Sequence, residues 1–415
     1  MKNIIKKFIS VMSGNIVVVA TSFIIAALIV QRYGMENYGK FVVVQSIFMV
    51  FPILTRPLVW QAFVKFKNEV SSIELFKYSL KIEALFFVFL SLLFILILRL
   101  MLFLFPNNDY FLLEKPYFII AILFLSFFYN SGAVIGYYRS RENYVVISLI
   151  LSISSISKVV FLLFSDLDIS SLIFFLCIID ATIWFLSIFF SYLIINKTKS
   201  SIRCKIKNKI KIKFLKYSLW GNLHSILDLP VSHLDRLIVS VLFSVEMAGV
   251  FNLIKRVGGI AKQLSDPILQ ILFPKFVDFL HSGDVSKIRT IKHKLKYLSI
   301  FLGILTVSLG WIGFDLFDKL MFKGGLYEYK IEIILFALAQ IYAFSFTWIH
   351  PLCISLSAML DVTKVTFWSN VIYLFILTIG IQYFSMYGMI LATFVQYYFV
   401  IYMKRAIIKG KLIGL

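Results

Sequence analysis

Twelve apolar stretches, each near 20 residues, dominate the chain: residues 8–30, 41–64, 82–105, 117–138, 144–164, 171–195, 215–243, 250–274, 297–314, 332–354, 365–384 and 387–403. A helix of about 20 residues crosses the ~30 Å hydrocarbon core of a bilayer. In lipid every backbone polar group must be satisfied internally, so such stretches fold as helices. Twelve of them in 415 residues leave no room for a sizeable soluble domain. Composition agrees: 60% of residues are hydrophobic and 15% are charged, against about a quarter charged in soluble domains. An ordinary soluble enzyme is excluded. The start, MKNIIKKFISVMSGNIVVVATSFIIAALIV, has a basic head like a signal peptide. Its apolar run exceeds the usual h-region of about 7–15 residues, so an uncleaved first span is expected.

The few charges are unbalanced, with 42 Lys and Arg against 21 Asp and Glu, a net +21. Such an excess fits nucleic-acid binding or charges sorted across a membrane. Position decides. Alternate loops, starting with the N-terminus, hold 29 basic residues, the intervening loops hold 6, and 7 lie inside spans. That bias predicts both termini in the cytoplasm and removes the case for nucleic acid. The run NKTKSSIRCKIKNKIKIKFLK (196–216) has nine basic residues and no acid. It reads as an orientation signal against anionic headgroups, with a specific partner as the alternative. Cys177, Cys204 and Cys353 stand far apart, and form neither a metal motif nor a disulfide framework.

The chain also repeats itself. Gly14-Asn15 recurs as Gly221-Asn222. At an offset of 210, Glu36-Asn-Tyr-Gly39-Lys-Phe41 matches Glu246-Met-Ala-Gly249-Val-Phe251, and TRPLVWQAFVKF (55–66) lies over SDPILQILFPKF (265–276). A shared register ending on the same membrane side implies two like-oriented halves about an axis along the membrane normal. The expected fold is all-α, with twelve transmembrane helices in two pseudo-symmetric six-helix bundles around a central cavity. The expected divisions are an N-terminal half (1–195), a basic cytoplasmic linker (196–214) and a C-terminal half (215–415).

Ionisable side chains inside a span are costly and face a bundle interior or a watery cavity. Here they are Arg56, Arg99, Lys158, Arg236, Lys255, Arg256 and Lys262, set against the aspartates Asp180, Asp228, Asp235 and Asp266. The excess of positive charge favours an anionic guest. Lys255, Gly259, Lys262 and Asp266 are spaced to share one helix face, and Gln45, Met49, Pro52 and Arg56 hold the matching register in span two. Arg56 and Lys262 are therefore expected to meet a phosphate, with Arg236, Lys255 and Arg256 as further anion contacts. Pairing of Arg56 with Asp266 is the alternative. In span seven His224, Asp228, Ser232 and Asp235 form a second stripe, so His224, Asp228, Asp235 and Asp266 are candidates for proton or sodium coupling. The alternative is pairing, such as Asp235 with Arg236 or Lys255. Lys158 and Asp180, on adjacent spans, are read as a structural ion pair. No metal site and no cofactor is indicated.

With two six-helix halves, the turn QRYGMENYGKF after span one and DRLIVSVLFSVEMAGVFNLIKR across spans seven and eight, the chain resembles the polysaccharide-unit flippases. These are the Wzx-type O-antigen and capsule transporters of the multidrug/oligosaccharidyl-lipid/polysaccharide (MOP) superfamily. The family's loosely kept glycine turn falls here at Tyr38-Gly39 and Ala248-Gly249. The resemblance implies translocation of an undecaprenyl-pyrophosphate-linked oligosaccharide across the bacterial cytoplasmic (inner) membrane by alternating access. The implied surroundings are the bilayer, a polysaccharide polymerase and a chain-length regulator, with the flippase itself a monomer. An ion gradient is the expected energy source, since no Walker loop occurs for ATP.

Two rival readings remain. A drug/cation antiporter of the same superfamily would want acidic groups in the N-terminal half of the cavity, and span one has none. A membrane polysaccharide polymerase would want a large outer loop, whereas the longest here is 315–331. His281 and His293 sit in a basic loop with no nucleophile constellation around them.

Overall fold

Helix α5 (Tyr144–Phe164) shows which solvent the chain was built for. Val145, Leu149, Ile153, Ile156, Val160 and Leu163 are exposed at steps of three and four residues, while Ser154 and Ser155 are buried. In water, exposing those six side chains would forfeit about 1.5–3 kcal/mol each, as much as the whole net stability of a domain, about 5–15 kcal/mol. An apolar stripe outside and serines inside is stable only in lipid. Helix α14 (Met359–Phe384) repeats the pattern, exposing Phe367, Val371, Phe375 and Ile379 and burying Thr363, Thr366, Ser369 and Asn370.

The computed structural model describes residues 2–55, 57–67, 69–104, 127–141, 143–197, 206–259, 272, 276, 279–280, 282, 285–356 and 358–413. Within them the chain is all-helical. The helices are α1 (Lys2–Thr55), α2 (Val59–Phe66), α3 (Ser72–Leu104), α4 (Gly132–Ser140), α5, α6 (Ile169–Lys197), α7 (Asn208–Leu227), α8 (Asp235–Leu242), α9 (Val245–Gly258), α10 (Val285–Ile312), α11 (Phe314–Phe322), α12 (Lys330–Phe344), α13 (Ile349–Ser355), α14 and α15 (Met386–Ile413). Among the described residues, seven helices are long and apolar enough to cross a membrane. The first of these is bent back at Gly34, whose φ of 83° suits glycine, so α1 holds the first predicted span and the start of the second, which ends in α2. Predicted spans 117–138 and 250–274 are described only in part.

The chain packs as two compact units. One joins Met1–Met12, Ala26–Val43 and Leu227–Leu415; the other joins Ser13–Ile25 and Val44–Ile226. The second unit is built on Val59, Phe63, Phe76, Tyr137, Trp184 and Phe214. There Glu83 caps α4: its carboxylate accepts from Gly132 N at 2.7 Å and Ser131 Oγ at 3.1 Å. A carboxylate at a helix N-terminus is stabilised by the unpaired N–H groups and the helix dipole. Lys158 Nζ lies 3.0 Å from Asp180, whose other oxygen accepts from Ser154.

In the first unit, the bend after α1's first arm meets α9. Gly39 and Gly249, the glycines paired by the 210-residue offset, lie face to face: a Cβ on Gly249 would stand 3.1 Å from Gly39 Cα. Asn252 donates to the Tyr38 hydroxyl at 2.7 Å beside it. Helix α11 straps the same bend, because Gln31 Nε2 donates to the Leu320 and Met321 carbonyls and Lys323 Nζ donates back to the Gln31 carbonyl. The strap's turn is fixed by Asp318, whose carboxylate accepts from Leu326 N at 3.1 Å. Burial pushes the Asp318 carboxyl above its ordinary value, and the backbone donors pull it back.

Helices α14 and α15 approach closely through Gly380 and Gly388, and a Cβ on Gly388 would overlap the Gly380 backbone. Small residues allow such contacts between membrane helices. Gly388→Ala is expected to cost about 1–3 kcal/mol, the range for overpacking. A thermal-unfolding series in detergent checks this, with Gly410→Ala as the neutral control, since nothing lies within 4 Å of a Cβ there.

Candidate functional site

The site grows from a break in one helix. Pro230 lacks an N–H and cannot continue the ladder of α7; Pro230–Leu234 forms a π-helical turn before α8. In an α-helix the N–H of Asp235 would bond the Val231 carbonyl, four residues back. Here it bonds the Pro230 carbonyl, five back. The Val231 carbonyl is thus released, and Lys255 Nζ from α9 donates to it at 2.7 Å. The Leu227 carbonyl likewise accepts from Asn370 of α14. Single π turns of this kind often mark functional sites.

Asp235 sits at the centre, fully buried. One carboxylate oxygen pairs with Lys255 and accepts from Tyr373 Oη at 3.1 Å; the other accepts from Arg236 N at 2.8 Å. From Tyr373 the polar chain runs one turn along α14 to Asn370, whose oxygen accepts from Gln396 Nε2 of α15 at 2.7 Å. Beyond that, Tyr397 Oη donates to Gln340 of α12 at 2.9 Å. Polar contacts thus tie α8 to α9 and α14 through Asp235, α14 to α15 through Asn370, and α15 to α12 through Tyr397. Arg236 is beside it, within electrostatic reach of Asp235, Arg256, Tyr38 and Tyr373. Its Nε is buried and has no hydrogen-bond partner among the described residues. Lys255 and Arg236 thus lie beside one carboxylate, and Arg256 is within electrostatic reach of Arg236.

The other sequence candidates are placed as follows. Asp228 is exposed, just before the π turn, and within electrostatic reach of Lys404. The π turn between Asp228 and Asp235 changes the helical register on which their shared stripe was argued. His224 is half-buried on α7. Arg56, Lys262 and Asp266 lie outside the described residues, and α9 ends at Gly258. Sequence reasoning missed Tyr373, Asn370 and Gln396, which are neutral. It also passed over Glu83 and Glu332 at the margins of their spans, both buried. Adding them leaves seven basic groups against six acidic, so the intramembrane excess falls from three to one. An argument for an anion must then rest on local clustering, not on the total.

No protein-family model matches the chain, and no curated protein matches it in sequence. Its fold, however, is shared: this is a multi-pass, all-helical membrane protein with a MATE-like fold. It is similar to an aspartate-to-asparagine mutant of the Vibrio cholerae MATE transporter VcmN, with a TM-score of 0.70 and 12% identity over 100% of this chain and 97% of that one. The bent form of VcmN gives 0.65 and 11% over 99% and 98%. An inward-facing multidrug-resistance MATE family transporter of the MOP superfamily gives 0.62 and 12% over 97% and 98%. At such identities the likeness is one of fold.

Proposed function

We propose that the chain is a flippase moving undecaprenyl-pyrophosphate-linked oligosaccharide units, of O-antigen or a similar surface polysaccharide, across the bacterial cytoplasmic membrane. It works by alternating access, with an ion gradient as the driving force and both termini in the cytoplasm. The observation that carries this reading is the placing of two cations, Lys255 and Arg236, beside the single carboxylate of Asp235, with Arg256 within electrostatic reach of Arg236. A cationic drug would meet net repulsion there, whereas a diphosphate would be drawn in. Arg56 and Lys262 are proposed to complete the anion contacts, and Asp235, Asp228, His224 and Asp266 to supply coupling. A polymerase and a chain-length regulator are the proposed recipients of the flipped unit.

Reconstitution tests it. Proteoliposomes holding a fluorescent undecaprenyl-pyrophosphate oligosaccharide are expected to show protein-dependent loss of label from one leaflet, read with a membrane-impermeant quencher. Arg236→Ala and Arg256→Ala should each slow the exchange tenfold or more. A protein that leaves this lipid in place but exports a cationic dye under a proton or sodium gradient is a drug antiporter instead.

A further inference from the structure

A second basic cluster lies in the other unit, on side chains that the sequence reads only as orientation charges. Helices α2 and α4 run parallel. Gly132 packs against Val59 and Trp60, Gly136 packs against Phe63, and Lys67 Nζ donates to the Ser140 carbonyl at 3.2 Å. Arg139 stands at the far end of α4, level with the last turn of α2. Yet its guanidinium lies 4.1 Å from the centre of the Trp60 ring. Trp60 precedes Lys67 by seven residues, on the order of 10 Å of helix, so the head is drawn back toward the apolar part of the span. An arginine serving only to orient the chain would snorkel the other way, into the headgroups.

The neighbours of that head are weak partners. Arg139 makes no ion pair among the described residues, and its Nε is buried without a hydrogen-bond acceptor. Lys65 rests 4.1 Å over the Tyr217 ring and Arg141 rests 4.6 Å over Tyr137. Four cations on two adjacent helix ends are thus parked on aromatic faces or a backbone carbonyl. A cation–π contact contributes about 0.5–2 kcal/mol, less than the charge-assisted bonds a phosphate would offer. The planar guanidinium also presents paired donors that match two phosphate oxygens.

We infer that Arg139, held on Trp60, is a phosphate-binding site, with Lys67 at the Ser140 end of the same helix pair. It takes the diphosphate of a polyprenyl lipid on the basic-loop side, before the central cluster does. This rests on the flippase reading for the identity of the lipid. Bulk phosphatidylglycerol carries the same phosphate chemistry, so the test must separate the two sources.

The full chain in phosphatidylcholine nanodiscs is titrated with undecaprenyl pyrophosphate, and bound lipid is counted by native mass spectrometry. In an Arg236→Ala/Arg256→Ala background, which removes central contacts, Arg139→Ala and Arg139→Lys are both expected to weaken binding at least tenfold, with thermal midpoints close to that background's. A twentyfold excess of phosphatidylglycerol should leave the bound lipid in place. Should the alanine variant fail to fold, the lysine variant keeps the charge and carries the comparison. Binding within twofold of that background in the variants overturns the site while the flippase reading stands. Displacement by an equal amount of phosphatidylglycerol reassigns the site to bulk lipid and overturns the proposed ligand. If the unaltered chain binds no polyprenyl diphosphate, the flippase reading itself fails and the site falls with it.

Discussion

Replacing Asp235 by Asn is expected to lower the stability of the chain by about 3–5 kcal/mol, the cost of stranding one charge of a buried pair. Lys255 is only 15% exposed and Asp235 not at all, so neither can turn to water for relief. Lys255→Met strands the carboxylate instead and should cost about as much. The double variant Asp235→Asn/Lys255→Met removes both charges and should recover most of the loss. Recovery will be incomplete, since the Val231 carbonyl loses the ammonium that now satisfies it, worth about 1–3 kcal/mol if left unpaired. Thermal unfolding in detergent measures all four corners of this cycle.

Transport should not follow stability. The proposed coupling role needs a carboxylate that exchanges its partner, so gradient-driven flipping should stay lost in the stable double variant. A double variant that is both stable and fully coupled would leave the pair with a structural role alone. The π turn bears on the pair directly, since it frees the Val231 carbonyl to Lys255, and a change in its register would break that bond. Tyr373 and Asn370 on α14 would feel any such change directly through Asp235 and the Leu227 carbonyl.

Much of this was legible in the chain, for physical reasons that differ residue by residue. The spans were readable because lipid imposes a length and an apolarity that little else does. Asp235 and Lys255 stood out because a charge inside a span is expensive. The Gly39 and Gly249 contact was readable only as a repeat, since sequence gives equivalence and not proximity. Pro230 passed unnoticed in the apolar run of span seven, and the π turn it starts depends on donors supplied by Lys255 and Asn370 from distant helices. Tyr373, Asn370 and Gln396 gave little warning because neutral polar groups in a membrane helix can bond their own backbone. Arg139 gave none. Its position marks a loop, and the direction of its head is decided by Trp60, on another helix.

The glycine contact supplies the other large effect, and it separates two substitutions that look alike. A Cβ on Gly39 would overlap the Val245 backbone carbonyl, which cannot swing aside as a side chain can. On Gly249 the nearest atoms would be 3.1–3.3 Å away, a gap that a shift of a few tenths of an ångström relieves. Gly39→Ala should therefore open the contact between the bend of α1 and the start of α9, and Gly249→Ala should loosen it only slightly. An overpacking cost of about 1–3 kcal/mol corresponds to roughly a 5- to 150-fold shift between closed and open forms. Asn252, 3% exposed beneath this contact, reports the shift as Asn252→Cys in a background without Cys177, Cys204 and Cys353. Alkylation by a membrane-impermeant maleimide should rise at least tenfold with Gly39→Ala and less than threefold with Gly249→Ala. If the contact takes part in the proposed cycle, Gly39→Ala should also stall flipping while the protein stays folded. Equal labelling in the two variants, with transport intact in both, would show that the repeat's glycines pack the fold without gating it.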